Sequence, residues 1–358
     1  MEDLTFVVKE ELDNDLRKDW EELSKRCDLT IFQNKDWLTC WVEEILINKK
    51  NSDIFILAIY IGDKLIAILP FELYVKFNFK ILKSLGNPFC DYFDFLVDRD
   101  FFKLLNDNKN SIFNEVNRQL KPDIIFLENI CENSNIIKIL DRNNFKQHNY
   151  NSYFLRSLNN QTIIPNKIKS DNIRQIKRLN KLGELKFIIE DDIINQKKLL
   201  DYFFKQKEIQ LNKTHNWNYL KDKNNTRFLE KILIKNKKGH FSVLKLNNKI
   251  ISMHIGFMEN KRFFYIFPVY DSYYSNYSPG NVLLYKIINY FFKNNGEIFD
   301  FTTGDERYKV KLSNSKLRMF YFVKTYSLTG ILIKYFISLK FYAQKITILK
   351  NLFNKILY

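Results

Sequence analysis

Phe299–Asn314 reads FDFTTGDERYKVKLSN. Its opening alternates as a strand does, Gly304 offers a turn, and Asp305, Glu306, Arg307, Tyr308 and Lys309 follow in consecutive positions. A loop that only reversed the chain would need no more than the glycine. Ionisable groups packed this densely behind a strand point to one of two things. One is a binding or catalytic cluster. The other is an ion-paired turn, with Asp305 capping backbone N–H groups and Glu306 bridging Arg307 or Lys309. Adjacent side chains on extended backbone point to opposite sides, so only one of the two acids is expected to face a site.

Upstream of this stretch, alternation predicts a strand over 262–271, the loop SYYSNYSPG, a helix from about 280 to 294 and a strand over 297–302. Pro279 suits a first helical turn, where its missing N–H is harmless. A last strand is predicted over 317–327. Before all of these, HFSVLKLNNKIISMHIGFMEN predicts a hairpin, 240–246 and 249–258 around Asn247-Asn248. DIFILAIYIGDKLIAILPFEL repeats the plan in the first half, 54–61 and 64–73 around Gly62-Asp63. Helical patterns precede each hairpin, over 35–48 and over 196–211 and 224–236, which reads as an internal duplication of one α/β unit. Between the halves lies SDNIRQIKRLNKLG, a basic helix with Ser170 or Asp171 as cap and Gly183 as stop. Its apolar stripe is Ile173, Ile176 and Leu179. Arg174, Lys177, Arg178 and Lys181 form either a solvated face or a ridge toward an anion.

The chain has 358 residues, enough for two domains, and 46% of them are hydrophobic, with 33 Phe and 20 Tyr. Cys27, Cys40, Cys90 and Cys131 show no CxxC spacing and read as buried thiols of a reducing cytosol. His148, His215, His240 and His254 have no ligand spacing, so no metal is expected. The N-terminus lacks the pattern of a signal peptide, and no long uncharged apolar run predicts a membrane span, so the expected location is cytoplasmic. Charge is uneven. Residues 1–160 carry a net −5 and residues 161–358 a net +21, and no acidic residue follows Glu306. The second half is therefore suited to an anionic partner: a phosphorylated cofactor, a nucleic acid or a lipid surface. The tail, TGILIKYFISLKFYAQKITILKNLFNKILY, has only Lys as its charge. It fits either a core-docked helix or one lying in a membrane interface, with Lys334, Lys340, Lys345 and Lys355 on one side and Tyr335, Tyr342, Ile346, Leu349, Phe353 and Leu357 on the other.

In this order the basic helix, the second hairpin, YDSYYSNYSPGNVLL and FDFTTGDERYK resemble the GNAT-like acetyltransferases of the CelD/BcsL type, relatives of the FemAB transferases. IFQNKDWLTCWVEEI, LAIYIGDKLIAILPFEL and SLGNPFCDYFDFLV resemble that family's opening segments, so the likeness runs to about residue 327. It implies an α/β (α+β) fold of two tandem GNAT-like domains with mixed central sheets flanked by helices. The expected division is 1–160, 161–329 and a basic amphipathic helix over 330–358. It also implies acyl transfer by the second domain, from acetyl-CoA or another acyl-CoA to an amino sugar or a nucleotide- or lipid-linked saccharide of bacterial surface polysaccharide. Two alternatives stand beside this. One is aminoacyl transfer from tRNA to a cell-envelope precursor, and the other is a non-catalytic binding subunit at the inner face of the membrane, held by 330–358.

In the family the donor pyrophosphate rests on the helix start, which here is Tyr277, Ser278, Pro279, Gly280 and Asn281. The sequence departs from the common signature, which carries Arg or Gln and several glycines. A plain helix-capping turn is the competing reading. Asp305 or Glu306 is implied as general base, Tyr308 as proton donor to the thiolate, and Lys309, Arg307, Arg174 or Arg178 as phosphate contact. His254 alternates with Met253 and Ile255 and is either a cleft-facing base or an interior residue. Tyr270 is a second candidate proton donor, beside Asp271. Glu208 and His215 fall on the acceptor side, with roles left open.

Overall fold

The computed structural model describes residues 4–157, 164–213 and 218–343. Among these the strands run β1 (Leu4–Lys9), β2 (Ser52–Ile61), β3 (Lys64–Lys76), β4 (Phe79–Ser84), β5 (Leu96–Val97), β6 (Ile124–Cys131) and β7 (Phe145–Arg156). They continue as β8 (Leu185–Glu190), β9 (Gly239–Leu246), β10 (Lys249–Glu259), β11 (Arg262–Tyr270), β12 (Ile298–Thr303) and β13 (Ser315–Thr325).

The chain forms two compact units, Met1–Asn149 with Leu317–Tyr358, and Tyr150–Lys316. In the first unit the strand order is β1-β2-β3-β4-β6-β13, with β5 attached to β3. Every neighbouring pair is antiparallel except β4 with β6. In the second the order is β8-β9-β10-β11-β12-β7, antiparallel except β11 with β12. The two plans coincide strand for strand, but their sixth strands are exchanged. β7 follows β6 in the chain yet closes the second unit, and β13 follows β12 yet closes the first. This is why the expected linear division fails. β13 pairs from Met319↔Cys131 to Thr325↔Ile124, and the helix Leu328–Ala343 seats Ile333, Ile337 and Phe341 on Ile124, Phe126, Tyr321 and Val323. Residues 317–343 therefore belong with the first unit; 344–358 lie outside the described residues.

Both hairpins turn where expected. Gly62 has φ +54°, and Asn247 and Asn248 have φ +49° and +67°, the left-handed pair that matches strand twist. The expected helices are present over Lys35–Glu44, Ile193–Lys213 and Lys223–Glu230, the last continuing as a π turn through Lys231–Lys235. The basic helix starts earlier than its cap signal predicts, at Asn166, with Pro165 rather than Ser170 before its first turn. The reason is packing. Ile164, Ile168, Ile176 and Leu179 join the second unit's core, so the stripe begins before Ile173, which is exposed. That core also takes Val282, Leu283, Ile287 and Phe291 of the helix Pro279–Lys293, against Phe263, Phe299 and Phe301 of the sheet. Each such side chain contributes roughly 1.5–3 kcal/mol relative to staying exposed. The four cysteines are free and buried.

Candidate functional site

The parallel ladder between β11 and β12 holds only Arg262↔Ile298, Phe263↔Phe299 and Phe264↔Asp300. β11 then continues to Tyr270 and β12 to Thr303 without further pairing to each other. Two side chains fix the parting. Asp300, fully buried, accepts from Arg262 Nη2 at 2.6 Å and Nε at 3.0 Å, and its Oδ1 accepts the Thr302 N–H at 2.7 Å. Thr302 has φ +58°, an unfavourable left-handed conformation for a β-branched residue, and it turns β12. On β11 the register shifts between Ile255 and Gly256 of β10, which leaves Ile266 as the extra residue. The Ile266 N–H donates to His254 Nε2 at 3.1 Å.

His254 is consequently an interior residue and not a cleft-facing base. It is fully buried and stacked on Tyr265 at 3.9 Å. Burial, reinforced by the charges of His240 and Lys207, holds its pKa well below the usual imidazole range. Alternation along β10 cannot distinguish this face from a cleft.

The helix that follows β11 opens at the parting. Ser278, at φ +49°, precedes Pro279, and no side chain caps the turn. Gly280 is not demanded by the chain's own packing, since an added Cβ would only touch Tyr270 Cδ1 at 3.6 Å. Half-exposed Tyr270 thus stands beside the helix start. A cavity of about 240 Å³ reaches this turn, lined by Ser278, Asn281, Arg174, Gln175, Tyr308 and Lys311 among others. Arg174 is exposed and pairs with Asp171 at 3.1 Å. Arg178 does not line the cavity. Its Nη1 donates to Asn276 O at 3.1 Å, and its guanidinium lies 4.8 Å from the Tyr277 ring centre, so the two hold the loop to the basic helix. Arg174, Ser278, Asn281 and Tyr308 therefore meet in one place, with Pro279 and Gly280 forming the turn. Lys311 and Gln175 were missed from sequence.

The opening cluster is an ion-paired turn leading into a short helix, Arg307–Leu312. Asp305 Oδ1 accepts from Tyr153 Oη at 2.8 Å and from the Asn151 N–H at 3.2 Å, which fastens the turn to β7. Lys309 is buried, donates to the Thr303 carbonyl and pairs with Glu306 at 3.0 Å. It faces inward and not toward a phosphate, which corrects the sequence expectation. Glu306 and Arg307 stay exposed. Burial, with the charges of Tyr265 and Glu306 adding to it, pushes the Tyr308 phenol far up, so it keeps its proton.

A further group escaped the sequence reading. Lys207, on the helix Ile193–Lys213, donates from Nζ to the Pro268 carbonyl of β11 at 3.3 Å. Burial lowers its ammonium to about 8, with Glu306 opposing the shift. The signal was present in the sequence: Phe203, Lys207 and Leu211 stand at four-residue intervals, so Lys207 interrupts the buried stripe. Asp271 is engaged by the Tyr273 N–H at 3.0 Å and by Lys249 at 3.0 Å. Glu208 is exposed, and His215 lies outside the described residues. Among the described residues no cluster of His, Cys, Asp or Glu could hold a metal, and no helix is long and apolar enough to cross a membrane.

The first unit shows what a closed counterpart looks like. Its parallel pair β4–β6 also has three rungs, ending at Lys83↔Phe126. Beyond them Ser84 Oγ accepts the Glu128 N–H at 2.8 Å, and the Phe93 N–H donates to Asn129 O at 2.9 Å. Phe89, Cys90, Tyr92, Phe93 and Phe95 are buried there. The chain itself stitches and fills that parting.

Residues 167–310, which span this open parting, match the family model of an acetyltransferase (GNAT) domain. The second unit thus has a GNAT-like fold, a mixed α/β sheet flanked by helices. Solved structures share the fold over nearly the whole chain. FemX is similar at 9% identity, covering 86% of this chain and 96% of its own, with a TM-score of 0.57. L-PGS from Bacillus licheniformis is similar at 10% identity, over 90% of this chain and 96% of its own, with a TM-score of 0.54. No curated protein matches the chain by sequence.

Proposed function

We propose that the second unit transfers an acyl group, acetyl in the simplest case, from coenzyme A to an amine or hydroxyl of a saccharide. The observation that carries this reading is the parting of β11 and β12 at Phe264 and Asp300, with an uncapped helix start and the Arg174 cavity beside it. The gap suits an extended pantetheine arm. The free N–H groups of Gly280 and Asn281 at a helix N-terminus, with Arg174 and Lys311 nearby, suit a pyrophosphate. In the reaction the acceptor nitrogen or oxygen bonds to the thioester carbonyl carbon as the carbon–sulfur bond breaks. Lys207 as free amine takes the acceptor's proton, and Tyr308, still protonated, gives one to the departing thiolate. Glu306 lies close enough to bias Lys207 and stands as the alternative base. The exposed rings of Tyr270 and Tyr273 suit the apolar face of a sugar. The resemblance to CelD/BcsL-type proteins adds surface polysaccharide as the setting.

The test is calorimetric titration of the protein with acetyl-CoA, followed by thiol-release assays with amino sugars and nucleotide-linked sugars. Absence of both CoA binding and thiol release with every acceptor would overturn the reading.

A second reading, aminoacyl transfer from a charged tRNA, draws on the exposed cations Lys177 and Lys181 along the basic helix. It predicts RNA binding that falls steeply with salt, whereas CoA binding at a single pyrophosphate should fall only modestly.

A further inference from the structure

The helix Leu328–Ala343 is apolar on two opposite sides. Ile333, Ile337 and Phe341 pack inward on Ile124, Phe126 and Tyr321. On the other side Leu328, Ile331, Leu332, Tyr335, Phe336 and Leu339 are all exposed, Phe336 by 63% and Tyr335 by 68%. Their spacing of three and four residues makes one continuous stripe. A helix that only docks on a core turns polar residues outward, so this stripe lacks a partner among the described residues. The stripe includes Tyr335, and the docked side is instead Ile333, Ile337 and Phe341.

A second apolar projection stands next to it. The turn between β3 and β4 exposes Phe77 by 82%, and Phe79 is exposed as well. Asp123 joins the two features. Its Oδ2 accepts the Lys80 N–H at 2.9 Å, and its Oδ1 accepts Thr329 Oγ1 at 2.6 Å and the Ser327 hydroxyl. The carboxylate between the two apolar features is therefore fully engaged. Several cations belong to the same segments. Lys76 Nζ lies 5.6 Å from the Phe77 ring centre, exposed Lys121 stands two residues before Asp123, exposed Lys334 is on the helix itself, and no acidic residue follows Glu306.

We propose that this surface of the first unit binds an anionic lipid bilayer. The outward stripe lies in the interface, Phe77 reaches into the headgroup–acyl boundary, and the lysines meet lipid phosphates. Charge selects this occupant over the two that the chain itself offers. A second copy would bring the same lysines against these, and residues 344–358 add Lys345, Lys350 and Lys355 with no acidic side chain. This proposal stands apart from acyl transfer and survives if the donor proves not to be coenzyme A.

The experiment is flotation of the full chain with vesicles of phosphatidylcholine, with and without phosphatidylglycerol, at low and high salt. The protein should float with the anionic vesicles at low salt, and less so at high salt or on phosphatidylcholine alone. The Leu332→Glu/Phe336→Glu variant should lose about tenfold or more of its partition, because two apolar side chains no longer leave water. Its melting temperature should be unchanged, since both side chains are exposed. Phe77→Asn is an independent check, because asparagine tolerates the φ of +49° at this position, and it too should weaken flotation. No flotation of the wild-type chain, or equal flotation of all three proteins, overturns the proposal. So does a dimer in solution that these substitutions dissociate while vesicle binding stays unchanged.

Discussion

Lys207 Nζ and the Pro268 carbonyl are joined at 3.3 Å, which places an ammonium on the part of β11 that runs beyond its ladder with β12. Burial lowers that group to about 8 from 10.5, so near neutrality a usable fraction is the free amine. Turnover should therefore rise with pH through about 8 and level off above it. Lys207→Met should lower turnover by about a hundredfold or more and remove this limb. Lys207→Arg, which stays charged, should be no better. The linkage has a definite sign. A lysine whose pKa is lowered on folding binds more protons in the unfolded chain between about 8 and 10.5, so wild-type stability should rise with pH across that window. Urea denaturation at both ends of the window should show this rise in the wild type and a smaller one in Lys207→Met. A pH–rate profile that keeps its limb in Lys207→Met would transfer the role of base to Glu306.

Gly280 separates ligand approach from packing. Its added Cβ meets only Tyr270 at 3.6 Å, so Gly280→Ala should leave the melting temperature unchanged or raise it, since alanine favours a helix. The same methyl group at the uncapped turn should weaken CoA binding by about tenfold, a loss of one close hydrogen-bonded approach. Arg174→Ala, at an exposed position lining the cavity, should weaken binding without affecting stability. If calorimetry gives Gly280→Ala the wild-type affinity for CoA, the pyrophosphate does not rest on this turn.

Asp305 is bound to β7 through Tyr153 Oη and the Asn151 N–H, so its carboxylate acts as a tie. Asp305→Asn keeps an oxygen acceptor for both donors and should retain activity within about threefold. Asp305→Ala removes the acceptor from a partly buried hydroxyl and should cost about 1–3 kcal/mol of stability. A loss of two orders of magnitude in turnover for Asp305→Asn, with stability intact, would restore Asp305 as the base.

What the sequence made legible follows the range of each interaction. Turn pairs and stripes are local, so the Asn247-Asn248 hairpin, the first hairpin and the Pro279 helix were readable. The duplication was readable for the same reason. The exchange of β7 and β13 was not, because an alternating strand pattern carries no record of which sheet it joins. His254 and Lys309 show the same limit at the site. Alternation gave His254 two faces without saying which was the cleft, and charge alone put Lys309 at the surface, although the Thr303 carbonyl and Glu306 hold it inside. Lys207 differs from both, since the four-residue spacing of Phe203, Lys207 and Leu211 is itself a local signal.

Arg262 and Asp300 hold the last rung before β11 and β12 separate, and their loss should act on fold before chemistry. Asp300 has no exposure, accepts two guanidinium bonds and also receives the Thr302 N–H, which supports the bend at φ +58°. Arg262→Met leaves a buried carboxylate without its main counter-charge, so it should destabilise the chain by about 3–5 kcal/mol. Replacing both, as Arg262→Met/Asp300→Leu, removes the stranded charge along with its partner. The double variant should therefore be less destabilised than the sum of the single variants by about 1–3 kcal/mol. Denaturant titrations of the four proteins give this coupling directly. Coupling near zero would mean that Arg262 packs over Phe154 and Phe264 without balancing Asp300, and that the parting of the strands rests on the backbone alone.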